Sequence, residues 1–220
     1  MYNILSSGIK HMVMALVSFF SLMSLYIYPK TLHRRILYYR DYWLSLRFSH
    51  LTKSFNKVHI KYPFYIIGHQ YIDNKYFTAQ PDLRIECINK WKNDSFSPIL
   101  KIGHNVCLGF RCHIGCINYI SIGDNVLVGS NVLITDHSHG KSEECELSPN
   151  DRKLYSKGPV VIENDVWIGD NVCILPDTKI GHHSIIGANS VVIHDIPPYS
   201  IAVGSPAEVK SYNNNDVNAL

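Results

Sequence analysis

The run Thr135-Asp136-His137-Ser138-His139-Gly140 sets two imidazoles two residues apart, directly after the apolar Val132-Leu133-Ile134. Histidine, with an unperturbed pKa near ~6.5, is the side chain best suited to take up and return a proton at neutral pH. In extended backbone residues i and i+2 share a side, so the pair fits two chemistries: a general base with a supporting neighbour, or two ligands of a metal ion. A zinc site needs at least a third ligand. The six cysteines (Cys87, Cys107, Cys112, Cys116, Cys145 and Cys173) contain no CxxC pair. General-base chemistry is therefore the expectation, with no metal.

What precedes the histidines is a repeat. Aliphatic residues, mostly followed by glycine, recur every six positions at Ile102, Leu108 and Ile114, then at Ile122, Val128 and Ile134 after a two-residue insertion. The series resumes at Ile162, Ile168, Ile174, Ile180, Ile186 and Val192. A helix repeats at 3.6 and a strand at 2; a period of six is one short strand plus a corner, where the glycine relaxes a backbone of positive φ. Each unit turns one large aliphatic inward, and stacked units share a continuous core, as in solenoids. The unpaired cysteines then fill core and corner positions.

Between Thr135 and Val161 the repeat stops for longer than a structureless connection in a compact domain usually lasts, which marks functional loops. Glu143, Glu144 and Glu146 read as the solvated surface of that loop. His137 and His139 stand where the chain leaves a strand and can face a groove.

The hexapeptide units, together with the string from Val166 to Val209 (VWIGDNVCILPDTKIGHHSIIGANSVVIHDIPPYSIAVGSPAEV), resemble the left-handed β-helix acyltransferases, in their galactoside, maltose and surface-polysaccharide O-acetyltransferase branch. The likeness covers roughly residues 64 to 210. It implies an all-β fold, a left-handed parallel β-helix with an N-terminal helical appendage and a protruding loop, assembled as a homotrimer with active sites between subunits. It also implies acetyl-CoA as co-substrate, with no resident cofactor, and a sugar hydroxyl or lipid-linked oligosaccharide as acceptor. Attack of a hydroxyl on a thioester needs its proton removed as the bond forms, and the oxyanion that results needs a backbone N–H donor. No acyl-enzyme is expected. Counting without gaps from Ile122, the base of the galactoside enzymes falls at His139; the local T-x-H pattern points to His137. His139 is the first choice as the base, with His137 second, as a support that orients it.

For the donor, the resemblance implies acetyl-CoA contacts at Trp167, Asp170, Gly187, Ala188, Ile193, His194 and Lys210. The chain departs from the branch at Glu208, where an arginine is usual, and at Gly109 and Ile117, which align with an asparagine and an aspartate of the galactoside enzymes. A galactoside acceptor is thereby disfavoured. TDHxHG is similar instead to the enzymes that acetylate O-antigen and capsular sugars in lipopolysaccharide and capsule synthesis.

Residues 1–60 are different material from the β-helix domain at 61–209. Met12 to Tyr28 carries no charge, and its seventeen residues span about ~25 Å as a helix against a hydrocarbon core of ~30 Å. Eight Lys/Arg then lie between Lys30 and Lys61 against Asp41 alone. Such a segment is expected at the inner face of the cytoplasmic membrane, or else as a helical flap on the enzyme. Residues 210–220 read as a polar, frayed tail.

With 46% hydrophobic and 18% charged residues, the 220-residue chain builds a sizeable core, and a net charge of +3 does not argue for nucleic acid. No cleavable secretory signal is read, so a reduced, cytosolic compartment is expected. Two alternatives stand beside sugar O-acetylation: N-acetylation of an amino sugar, and a non-catalytic β-helix that only binds.

Overall fold

The six-residue period becomes three flat faces of a prism, seen in a computed structural model that describes residues 7–27, 30–54, 58–144 and 146–212. An eight-stranded, a six-stranded and a five-stranded sheet close around one core as a left-handed parallel β-helix. Strands of one face pair in parallel so that the inward aliphatics stack in columns. Ile85, Ile114, Ile134, Ile174 and Val192 form the column of the six-stranded face. Leu108, Val128, Ile168 and Ile186 form a second column, and Ile102, Ile122, Ile162 and Ile180 the third. All are at most 2% exposed, and each contributes about 1.5–3 kcal/mol by burial. The frame is rigid for that reason.

The corners differ from the expectation. The residues with positive φ are Asn105, Asn125, Asn131, Asp165, Asn171, Asn189 and others like them, not the repeat glycines. Asparagine tolerates the left-handed region because its short amide finds a local partner. Here the partner is the equivalent residue one coil on: Asn105 donates to Asn125 (3.1 Å), Asn125 to Asp165 (3.0 Å) and Asn131 to Asn171 (3.0 Å). The glycines serve close approach instead. A Cβ on Gly109 would stand 2.4 Å from the carbonyl oxygen of Gly129.

Undisturbed coils take 18 residues, as from Asn171 to Asn189, whereas Asn105 to Asn125 takes 20 and Asn125 to Asp165 takes 40. The additions all fall at the corner between the six- and five-stranded faces. There the first coil carries a hairpin, Lys90–Trp91 with Asp94–Ser95, between Leu83–Cys87 and Ile99–Ile102. The second adds only Ile117 and Asn118, between His113–Cys116 and Tyr119–Ile122. The third adds the long excursion between Leu133–Thr135 and Val160–Ile162. That excursion is not structureless: Ser138–His139 pairs antiparallel with Leu154–Tyr155.

Two boundaries move. The chain divides into compact units at Arg40/Asp41, inside helix α2 (Lys30–Leu51), rather than at residue 60. The reason is a buried stripe on α2, Asp41, Ser45, Phe48 and Ser49, at helical spacing. Ser45 Oγ accepts the Ile60 amide at 2.9 Å, and the Phe48 ring meets Phe77 edge-on at 5.8 Å, which closes the first coil. At the other end Glu208–Tyr212 is an antiparallel strand on Ser200–Val203, so residues 210–212 are not a frayed tail. Residues 213–220 and Cys145 lie outside the described residues.

In the first unit, helix α1 (Ser7–Ile27) presents Met12 through Leu22 to solvent. Among the described residues no helix is long and apolar enough to cross a membrane.

Candidate active site

The two residues added at the middle coil explain the neighbouring acid. Asp136 is fully buried, and its carboxylate accepts the amides of Ile117 (2.9 Å, Oδ1) and Asn118 (2.8 Å, Oδ2). The short insertion turns these two N–H groups toward it. Oδ1 also accepts Nδ1–H of His137 at 3.0 Å. With Nδ1 held by a buried carboxylate, Nε2 is the nitrogen left for chemistry, the orientation a general base needs. Thr135 Oγ1 accepts the His137 amide at 3.3 Å and sets the turn.

The His137 ring occupies a gap in the six-stranded face. Outward residues there run Glu86, Gly115, Thr135 across the strands. A Cβ on Gly115 would stand 3.1 Å from His137 Cε1 and 3.9 Å from His113 Nε2. Glycine here leaves the ring its space, and the position has no positive φ that would call for it.

Beside the gap a cavity of about 230 Å³ is lined by Arg84, Glu86, His113, Trp91, His137 and His139 among others. Burial alone would raise the Glu86 carboxyl, but hydrogen bonds and charge from Arg84 and His113 hold it below the usual carboxylate range. Burial pushes His113 down, against the pull of Glu86. His113 Nε2 and the Glu86 carboxylate share a hydrogen bond at 2.9 Å.

His139 takes a different place. It lies on the excursion hairpin, exposed, with its ring edge-on to Trp91 at 5.6 Å. The structure brings both histidines to one cavity but gives the orienting carboxylate to His137. Among the described residues no group of three or more His, Cys, Asp or Glu could hold a metal ion. Burial also pushes the Cys112 thiol up to about 11, far from a nucleophile's range.

The residues implied for the donor fall in three places. Asp170, Gly187 and Ala188 share the corner between the eight- and six-stranded faces, where Asp170 Oδ1 accepts the Ser130 amide at 2.6 Å. Ile193 and His194 lie at the opposite corner, on the excursion side, and Ile193 lines a cleft of about 550 Å³ with Ser138, Lys141 and Lys157. Trp167, 46% exposed, and Lys210 stand on the eight-stranded face, Lys210 paired to Glu208 at 2.8 Å.

Sequence reasoning missed Asp136, although it stands within the quoted TDHSHG, because the amides that hold it come from another coil. It missed Arg84, Glu86, Trp91 and His113 as well. A signal existed for His113 and Arg84, each a polar residue just before a core aliphatic and hence facing outward.

Residues 159–194 match the family model for bacterial transferase hexapeptide (six repeats), and residues 99–136 that for the hexapeptide repeat of succinyl-transferase. WbbJ of Escherichia coli K12, which bears a provisional assignment as a lipopolysaccharide biosynthesis O-acetyl transferase, is 35% identical over 161 residues, covering 70% of this chain and 79% of that protein. Galactoside O-acetyltransferase of the same organism is 37% identical over 123 residues, 56% of this chain and 59% of that one. Among solved structures, a maltose O-acetyltransferase from Clostridium difficile superposes with TM-score 0.53 at 28% identity, over 76% of this chain and 85% of its own. The N-acyltransferase AntD from Bacillus cereus, solved with an amino-sugar nucleotide and coenzyme A, has TM-score 0.60 at 17% identity, over 73% and 83%, and shares the fold. With its repeat, its prism and a relative matched over most of both lengths, the chain belongs to the hexapeptide-repeat acyltransferases and is itself an acetyltransferase.

Proposed function

We propose that this enzyme moves the acetyl group of acetyl-CoA to a sugar hydroxyl in the synthesis of lipopolysaccharide O-antigen or capsular polysaccharide, with His137 as the base. The observation that carries the reading is the His137 ring, held at Nδ1 by buried Asp136 while Nε2 is left for the cavity. Nε2 takes the hydroxyl proton as the sugar oxygen bonds to the acetyl carbonyl carbon. The tetrahedral intermediate expels the CoA thiolate, which recovers that proton from the imidazolium. The ~10²- to 10⁴-fold that a positioned base supplies is the share asked of His137.

The donor side favours a trimer. Asp170, Gly187 and Ala188 lie across the six-stranded face from His137, and in the proposed trimer a neighbouring protomer brings its own donor corner to His137. In the cleft of about 550 Å³, Lys141 stands beside Glu143, and Lys157, paired to Asp177 at 3.4 Å, is the second cation that can turn to the donor's phosphates.

The N-terminal unit supports work at a membrane on a lipid-linked acceptor. Met12 to Leu22 are exposed, and the basic stretch from Lys30 follows. Removing residues 1–28 is expected to abolish most co-sedimentation with vesicles containing anionic lipid, while thiol release from acetyl-CoA persists. Equal partitioning of the full and shortened chains would refute the membrane role.

The function itself is tested by thiol release from acetyl-CoA across simple glycosides, amino sugars and lipid-linked oligosaccharides, with the product treated with mild alkali. An alkali-labile acetyl ester on a sugar is the expected result. A stable amide formed only with amino sugars would replace O- by N-acetylation.

A further inference from the structure

The hairpin of the first coil and the excursion of the third are joined above the site within one chain. Lys92 Nζ meets Asp151 at 3.0 Å and Lys153 Nζ meets Asp94 at 3.3 Å, so each element gives one cation and one anion to the other. Between these pairs the Trp91 indole stands edge-on to His139. The ion pairs are solvent-exposed and individually weak, which suits a clasp that opens and closes with its occupant.

The space beneath has a definite chemistry. Arg84 meets both oxygens of Glu86, Nη2 to Oε1 at 2.9 Å and Nε to Oε2 at 2.8 Å, and His113 donates to the same carboxylate. Arg84, held by both oxygens of Glu86, has its charge offset there, and this wall is a row of planar polar groups. Trp91 adds an aromatic surface to the same cavity.

We infer that this clasp is the acceptor-binding site and that it holds one uncharged pyranose ring, with Trp91 and Arg84 as its specificity-determining residues. The inference rests on the reading of His137 as the base. A pyranose has an apolar C–H face for an indole and hydroxyls that both give and accept hydrogen bonds, which suits a networked Arg–Glu–His row. The cavity of about 230 Å³ that one protomer forms here has room for such a ring. A phosphate would find no uncompensated cation here among the lining groups, so a nucleotide or lipid diphosphate attached to the sugar must lie outside the clasp. The reacting sugar is thus read by its ring, and the identity of its aglycone is read weakly.

The test is steady-state kinetics with methyl glycosides of neutral hexoses, 6-deoxyhexoses and N-acetylhexosamines, the same sugars as nucleotide diphosphates, and methyl glucuronide. At least one neutral methyl glycoside is expected to be acetylated with a kcat/KM within about tenfold of its nucleotide-linked form. Trp91→Ala and Arg84→Gln are each expected to raise the glycoside KM about tenfold or more without a matching rise in the acetyl-CoA KM, and Trp91→Phe to recover most of the loss. The inference is overturned if only nucleotide-linked sugars or the glucuronide react, or if either variant leaves the glycoside KM unchanged. The base reading is checked separately by sugar-free hydrolysis of acetyl-CoA. If His137→Ala hydrolyses it as fast as the unaltered enzyme, that reading fails whatever the glycosides do.

Discussion

Replacing His137 by Ala is expected to lower turnover by about 10²- to 10⁴-fold and to leave the acetyl-CoA dissociation constant nearly unchanged. The ring packs over Gly115 on the outer side of the six-stranded face, outside the cluster of core aliphatics. Fold and assembly should therefore survive the change. His139→Ala is expected to act on the acceptor instead. It removes the ring edge that meets Trp91, so the acceptor KM should rise several-fold while turnover at saturating sugar holds. The two variants, compared side by side by thiol release and by equilibrium binding of acetyl-CoA, separate the roles. A dead His139→Ala beside an active His137→Ala would reverse the assignment. Both variants remaining active would remove general-base catalysis from the site altogether.

The difficulty of choosing between these histidines from the sequence has a physical cause. An ungapped count treats every coil alike, whereas an orienting contact is made between coils. His137 is distinguished by Asp136, and Asp136 is fixed by the amides of Ile117 and Asn118, nineteen and eighteen residues away. The core was legible because Ile114, Ile134 and Ile174 occupy the same register in successive coils and solvent leaves little choice for them. The corners were legible in position but not in chemistry. The eye follows the glycine after each aliphatic, while the left-handed turn belongs to asparagines such as Asn125 and Asn131, whose amides stack between coils. The hairpin at Lys90–Trp91 and Asp94–Ser95 was not legible at all. It lies before Ile102, where the aliphatic-glycine signal begins, in coils built on Ile60, Phe77 and Ile85 without that signal. Its cross-bracing by Asp151 and Lys153 belongs to side chains some sixty residues on.

Asp136 should give the second large effect, in stability as well as rate. Its two oxygens accept four donors, counting the Cys116 thiol at 3.4 Å, and the carboxylate itself is closed to water. Asp136→Ala leaves two corner amides and an imidazole N–H without an acceptor, at about 1–3 kcal/mol for each buried group. With partial relaxation, a loss of about 2–5 kcal/mol is expected, read as a fall in the urea midpoint. Asp136→Asn separates the two functions of the residue. The amide oxygen can still accept from Ile117 and Asn118, so most of the stability should remain. The NH₂ group then faces His137 Nδ1 and favours the tautomer that carries its proton on Nε2. An imidazole protonated there cannot take a proton from the acceptor, so turnover should fall toward that of His137→Ala, on the order of 10²- to 10⁴-fold. The double variant Asp136→Asn/His137→Ala should be no slower than His137→Ala alone, since groups that act as a unit do not add. Turnover near normal in a folded Asp136→Asn enzyme would mean that the carboxylate only supports the corner, and that His137 finds its working orientation without it.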